Sequence, residues 1–153
     1  MTILFLDFDG VLHPYSPWPH DDAVRRQYFI HLPRLESVLR DFAEVSVVIA
    51  SDWRLYHPLD KLRGFFAEDI RSRVCGTTTL ERPTGEGVGQ RQHQAEQYLR
   101  EHNLVHAHWL AVDDTPSNYL ATARVVLCED RFGVREEAEL RRLLNEISYR
   151  ERR

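Results

Sequence analysis

Met1-Thr2-Ile3-Leu4-Phe5-Leu6-Asp7-Phe8-Asp9-Gly10-Val11 decides how the rest of the chain is read. Residues 3–8 form an apolar run that ends in acid, and such a run suits a strand buried on both faces, as in a parallel sheet. Comparable runs recur at 45–50 (VSVVIA), 73–76, 109–112 and 124–128. Helical periodicity fills the gaps. Leu35, Val38, Leu39 and Phe42 follow Pro33, and Leu59, Leu62 and Phe66 follow Pro58. Ala95, Tyr98, Leu99 and His102 make a third stripe, and Leu140, Leu143, Leu144 and Ile147 a fourth. Strands alternating with helices predict right-handed βαβ units and an α/β fold around a parallel sheet of about five strands.

Composition bounds the class. At 153 residues the chain is expected to be one domain, and 42% hydrophobic with 29% charged residues excludes most disordered readings. No apolar run approaches the ~18–20 residues of a membrane span, so no membrane association is expected. The first residues carry no basic segment and reach a carboxylate at Asp7, which argues against a signal peptide and for a cytoplasmic setting. The net charge of −4 disfavours a strongly basic nucleic-acid binder, although a local patch remains open. Cys75 and Cys128 make no Cys-x-x-Cys pair. Residues 13–20 (HPYSPWPH) read as an ordered loop. Residues 84–89 (TGEGVG) spell G-x-G-x-G without a strand running into them, so a loop before the third helix is expected rather than a dinucleotide fingerprint.

In open parallel sheets ligands bind beyond the carboxyl ends of the strands. Strand one ends in Asp7 and Asp9, strand two in Ser51 and Asp52, strand four in Asp113 and Asp114. Residues i and i+2 of a strand face one side, so Asp7 and Asp9 are expected to converge. Any one of these acids can merely cap a helix or turn. Asp7, Asp9, Asp113 and Asp114 drawn together repel unless a cation compensates, and an all-oxygen set suits Mg²⁺. His102, His106 and His108 straddle a helix end and a strand start with no Cys nearby, and are read as a chance cluster rather than a zinc site.

This constellation resembles the haloacid dehalogenase (HAD) superfamily of phosphatases and phosphotransferases. Asp7-Phe8-Asp9-Gly10-Val11 matches its first motif, D-x-D-G-[TV]; Ser51 matches its second; Asp113-Asp114 matches the acidic pair of its fourth. Ser51-Asp52-Trp53-Arg54 and the short length are similar to the small HAD domains of bacterial RNA-repair proteins. The resemblance implies a three-layer Rossmann-like fold over residues 1–153, strand order 3-2-1-4-5, a flap-like loop at 13–32 and no large cap. It implies an Mg²⁺-dependent phosphatase in which Asp7 is the nucleophile and Asp9 the general acid and base. Asp7, the main-chain carbonyl of Asp9 and Asp114 would hold the metal, with Asp113 orienting its waters.

Ser51, the backbone N–H of Asp52 and a cation would hold the phosphoryl oxygens. The family usually supplies a Lys there. Lys61, the only lysine, falls inside a helix pattern and reads as solvated surface. Arg91, on the stripe with Ala95, Tyr98 and Leu99, is the candidate; the alternative is a surface arginine in a first helical turn. An open site suits a phosphorylated substrate, either a nucleic-acid end or a small phosphoester. Gly10, His13, Trp18 and Arg54 are candidate substrate contacts, with Trp18 packing its loop and Arg54 pairing an acid as the alternatives. A catalytically weak binding or regulatory module on the same fold is the competing reading. A phospho-accepting receiver domain is disfavoured by the placement of Ser51 and Asp113. The implied strand order puts the cysteines on opposite edge strands, four steps and roughly 19 Å apart; both are expected to be free thiols, buried and inert.

Overall fold

A computed structural model describes residues 1–18, 21–80 and 88–153. The chain runs β1 (Thr2–Leu6), α1 (Asp22–Arg25), α2 (Leu32–Asp41), β2 (Val45–Ile49), a 3₁₀ turn (Asp52–Leu55), α3 (Leu59–Arg63), α4 (Glu68–Arg71) and β3 (Val74–Thr77). It continues through α5 (Gln90–Glu101), β4 (His108–Asp113), a second 3₁₀ turn (Pro116–Asn118), β5 (Val125–Leu127) and α6 (Val134–Glu151). All strand pairs are parallel and the sheet order is β3-β2-β1-β4-β5, as the resemblance implied.

Alternation along β1 divides the core. Leu4 and Leu6 face one side, with Val47, Ile49, Leu110 and Val112 of the neighbouring strands. That side is covered by Leu35 and Leu39 of α2, Leu62 of α3, Ile70 of α4, and Leu140 and Leu144 of α6. Ile3 and Phe5 face the other side, with Val48 and Ala111, against Ala95, Tyr98 and Leu99 of α5. Each such side chain contributes roughly 1.5–3 kcal/mol by leaving water. Glu36 of α2, although buried, accepts from the Ala67 N–H at 2.6 Å and so satisfies the start of α4. Arg73 donates to the carbonyls of Leu39, Phe42 and Val45, tying the end of α2 to the first residue of β2.

Register places the site. Leu6 lies opposite Ile49 on one flank and Val112 on the other. The ladder runs one step further, with Asp7 N–H donating to Val112 O at 3.0 Å and Ala50 N–H to Leu6 O at 2.9 Å. Asp7, Ala50 and Asp113 therefore emerge level at one edge.

Several details differ from the sequence expectations. β1 ends at Leu6 rather than Phe8, because the chain turns at Phe8, whose carbonyl accepts from Val11 and Leu12. The loop after β1 is not bare: it carries α1, capped by the Asp21 carboxylate. α4 has too few residues to show a period. His102 is exposed, since the stripe leaves the sheet face at the end of α5, and its Nδ1 lies 2.9 Å from Tyr98 O. Both cysteines are free, but Cys75 is exposed and only Cys128 is buried; β3 is an edge strand, and an edge leaves alternate side chains uncovered. Residues 84–87 of the expected glycine loop lie outside the described residues. Gly89 is described, and its φ of 88° starts α5. Among the described residues no helix is long and apolar enough to cross a membrane.

Candidate functional site

Three carboxylates gather at the strand ends. Asp7, Asp113 and Asp114 each offer an oxygen within 4.8 Å of the others. Asp7 is 4% exposed and Asp113 fully buried. Burial pushes the Asp7 carboxyl well above its ordinary range; Asp113 and Asp114 add to this and Arg91 opposes it. Burial likewise raises Asp113, again against Arg91. One oxygen of Asp113 is fixed by the Thr115 N–H at 2.9 Å and the Asn118 side chain at 3.2 Å. Its other oxygen, Oδ2, is buried and accepts no hydrogen bond. A buried carboxylate oxygen left so, beside two further acids, is the donor set of a hard cation.

Gly10 belongs to the same arrangement. Its φ is 73°, and a Cβ there would lie 2.2 Å from Asp114 Oδ2. Only glycine leaves that carboxylate its place without strain. Thr115, the N-cap of the second 3₁₀ turn, makes no side-chain cap bond there and donates its hydroxyl to Asp114 at 3.0 Å.

Arg91 is the cation of the site. The second residue of α5, it stands on the face that Ile3, Phe5 and Asp7 share. Its guanidinium donates to Asp7 Oδ1 at 3.2 Å and to Ala50 O, and lies 3.5 Å from Asp52 and 3.7 Å from Asp113. Burial works against its charge, yet Asp7, Asp113 and Asp52 raise its pKa. Ser51 is fully buried at the start of the first 3₁₀ turn, with its hydroxyl accepting from the Trp53 N–H. Arg54 is buried and braces this loop: it donates to the carbonyls of Ala50, Ser51 and Thr79 and pairs with Asp52 at 3.4 Å. Arg54 and Arg91 share a polar cavity of about 360 Å³ with Asp52, Gln94 and Asn118.

Asp9 stands apart from the three gathered carboxylates, because the strand stops before it. His13 Nε2 lies 2.8 Å from Asp9 Oδ1, and the Trp53 indole N–H donates to both Asp9 oxygens at 3.2 Å. The Phe29 backbone N–H donates to His13 Nδ1 at 3.3 Å, so Nε2 carries the imidazole proton and donates to Asp9. His13 is fully buried, which removes it from direct substrate contact and makes it a support for Asp9. Trp18 is 73% exposed with no ring packed on it among the described residues, so it does not pin its loop.

The sequence reading missed the role of Trp53. The one signal available was the density of rings at Trp53, Tyr56, His57, Phe65 and Phe66 just after the second strand. Trp53 packs against Phe8, Phe29 and Phe65 at centroid distances of 5.8, 5.3 and 5.6 Å. His102, His106 and His108 form no candidate metal group; the three aspartates are the one such group among the described residues.

Comparison with known proteins agrees with this geometry. Searches of curated proteins and of solved structures each returned no significant match. A protein-family profile described as "HAD domain in Swiss Army Knife RNA repair proteins" matches residues 3–138, from β1 into the first turns of α6. With the matched span reaching all five strands and including the gathered acids, the chain belongs to this family of small HAD-superfamily domains.

Proposed function

We propose that the chain is an Mg²⁺-dependent phosphomonoesterase that works through an aspartyl-phosphate on Asp7. One observation carries this reading: a buried strand-end carboxylate gathered with two further acids and paired with an arginine fork. Asp7, Asp114 and the Asp9 carbonyl would hold the ion, with Asp113 beside them. When bound, Mg²⁺ supplies charge neutralisation for the carboxylates and for the phosphoryl oxygens.

The chain's own groups do the rest. An oxygen of Asp7 attacks phosphorus and the bond from phosphorus to the ester oxygen breaks. Asp9 gives its proton to that oxygen, and the alcohol leaves. Water then attacks the phosphorus of the aspartyl-phosphate while Asp9 takes its proton, releasing inorganic phosphate and restoring Asp7. Arg91, Ser51 and the Asp52 N–H steady the equatorial oxygens throughout. Arg91 replaces a point charge with a planar two-toothed donor, which suits two oxygens of one phosphoryl group.

The family description names RNA repair proteins, and for this chain a phosphorylated RNA end is the substrate it suggests. The test is phosphate release from p-nitrophenyl phosphate with Mg²⁺, with chelator, and in Asp7→Asn. Metal-dependent turnover that vanishes with chelator and in the variant is expected. Turnover that survives Asp7→Asn would sink the mechanism, and phosphate binding without any turnover would leave a binding module in its place.

A further inference from the structure

Asp9 lines a cavity of about 540 Å³ that Asp7 does not touch. Its walls include Trp53, Tyr28, Tyr56 and Phe65, with Arg25 and Lys61 among the residues that line it. The volume falls within the range of small-molecule sites. In an in-line displacement the nucleophile and the leaving oxygen lie on opposite sides of phosphorus. The acid that protonates the leaving oxygen marks the leaving side, so this cavity receives the alcohol half of the ester. The inference rests on the phosphomonoesterase reading given above.

The lining narrows the alcohol. Trp53 ties its indole N–H to Asp9 and packs edge-on against Tyr28 at 5.1 Å, so the wall beside the acid is rigid. Tyr56 is 78% exposed and packs against no other ring among the described residues. An aromatic face left open beside a reacting centre offers a flat ring system a place to stack. Lys61 and Arg25 are exposed cations, Arg25 with Asp22 3.9 Å away, and they share the cavity lining with Asp52. Their position favours an anion attached to the same alcohol. Aromatic walls alone would fit many aryl alcohols. A stacking ring and a second anion on the same alcohol together describe a nucleoside that carries a further phosphate.

We propose that this cavity is a leaving-group subsite for a nucleoside bearing a second phosphate. The base stacks on Tyr56, and the second phosphate is drawn to Arg25 and Lys61. A nucleic-acid end and a free nucleoside bisphosphate share this chemistry.

The experiment separates substrate recognition from turnover. Asp7→Asn protein, checked for its melting transition, is titrated by calorimetry and tryptophan fluorescence with four ligands. These are a nucleoside 3′,5′-bisphosphate, a short single-stranded oligonucleotide with a terminal phosphate, ribose 5-phosphate and a phosphotyrosine peptide. Both nucleotides are expected to bind more tightly than ribose 5-phosphate and to quench fluorescence. Adding Tyr56→Ala is expected to weaken both by roughly 5- to 150-fold, the scale of one base-stacking contact. Arg25→Ala with Lys61→Ala is expected to reduce the salt dependence of binding. Tighter binding of the oligonucleotide assigns the subsite to a nucleic-acid end, and equal binding to a free nucleotide. Affinity that ignores the base, or Tyr56→Ala, overturns the proposal, as does tightest binding of the phosphotyrosine peptide. Tyr56-dependent nucleotide binding without hydrolysis of p-nitrophenyl phosphate by the wild type would sink the phosphatase reading while keeping the nucleotide subsite. Hydrolysis without base dependence would do the reverse.

Discussion

On the side of the proposed nucleophile, Asp7, Ser51 and Asp113 leave the ends of three adjacent strands. On the side that the proposed mechanism gives to the leaving group, Asp9, His13, Trp53 and Tyr28 come from loops and turns. The first set is placed by hydrogen-bond register: once Leu6 pairs with Ile49 and Val112, the next residues must emerge level. The second set is placed by rings that pack across long sequence distances, such as Phe29 on Phe65 at 4.4 Å between centroids. Under the proposed mechanism, strand-end groups are held to the geometry that bond-making needs, while loop-borne groups can vary to suit the alcohol that departs.

Four substitutions probe that contrast. Asp7→Asn strikes the register-held side at its centre. It is expected to lower phosphate release by roughly 10⁴-fold or more, as loss of a nucleophile does elsewhere; a malachite-green assay reads this out. Arg91→Ala leaves the same side without its cation and is expected to cost roughly 10²- to 10³-fold in kcat/KM. Arg91→Lys restores the charge without the fork, so it should fall between; full recovery would show that charge alone matters. Trp53→Phe tests the loop-held side, keeping the ring but deleting the indole N–H that holds Asp9. A loss of about tenfold in kcat is expected, larger for alkyl than for aryl phosphates, because poor leaving groups need the acid most. An equal loss for both substrate types would make the indole N–H merely structural.

The smallest expected effect is on stability. The folded protein raises the Asp7 pKa, through burial first and then through Asp113 and Asp114. A carboxyl raised in this way stabilises the fold at low pH, and that contribution is lost as pH climbs from the ordinary carboxylate range toward the raised value. With chelator present, Asp7→Asn is therefore expected to melt a few degrees above wild type at neutral pH and to show little difference near pH 4. A variant that melts lower at neutral pH would show that the Arg91 pair outweighs burial.

The same contrast explains what the sequence disclosed. Five apolar runs and four helical stripes were enough for the parallel sheet, because a buried strand must be apolar throughout, while the strand order came from the resemblance to the HAD superfamily. The acids at strand ends were legible for the same reason, and Arg91 followed from its place on the α5 stripe. Asp9 was misplaced among them, since alternation holds only while the strand lasts and the chain turns at Phe8. His13 was taken for a substrate contact because its burial depends on Tyr28, Phe29 and Trp53, none of which is a sequence neighbour. The exposure of Cys75 was equally hidden: it is decided by which strand lies at the edge and by which helices cover it.

Placing β1 in the middle of the sheet also sets an order of assembly. Thr2 pairs with Val45 on one flank but with His108 on the other. As the chain is synthesised, β1 can find β2 early. Its second edge stays unpaired until β4 emerges, and closing so long a loop is slow compared with local helix formation. Until then the growing chain presents an apolar strand edge of the kind that recruits wrong partners, a natural point for a chaperone to act. Asp113 and Asp114 arrive on the strand that closes that edge, so pairing of the final strands protects the nascent chain and completes its acid cluster in one event.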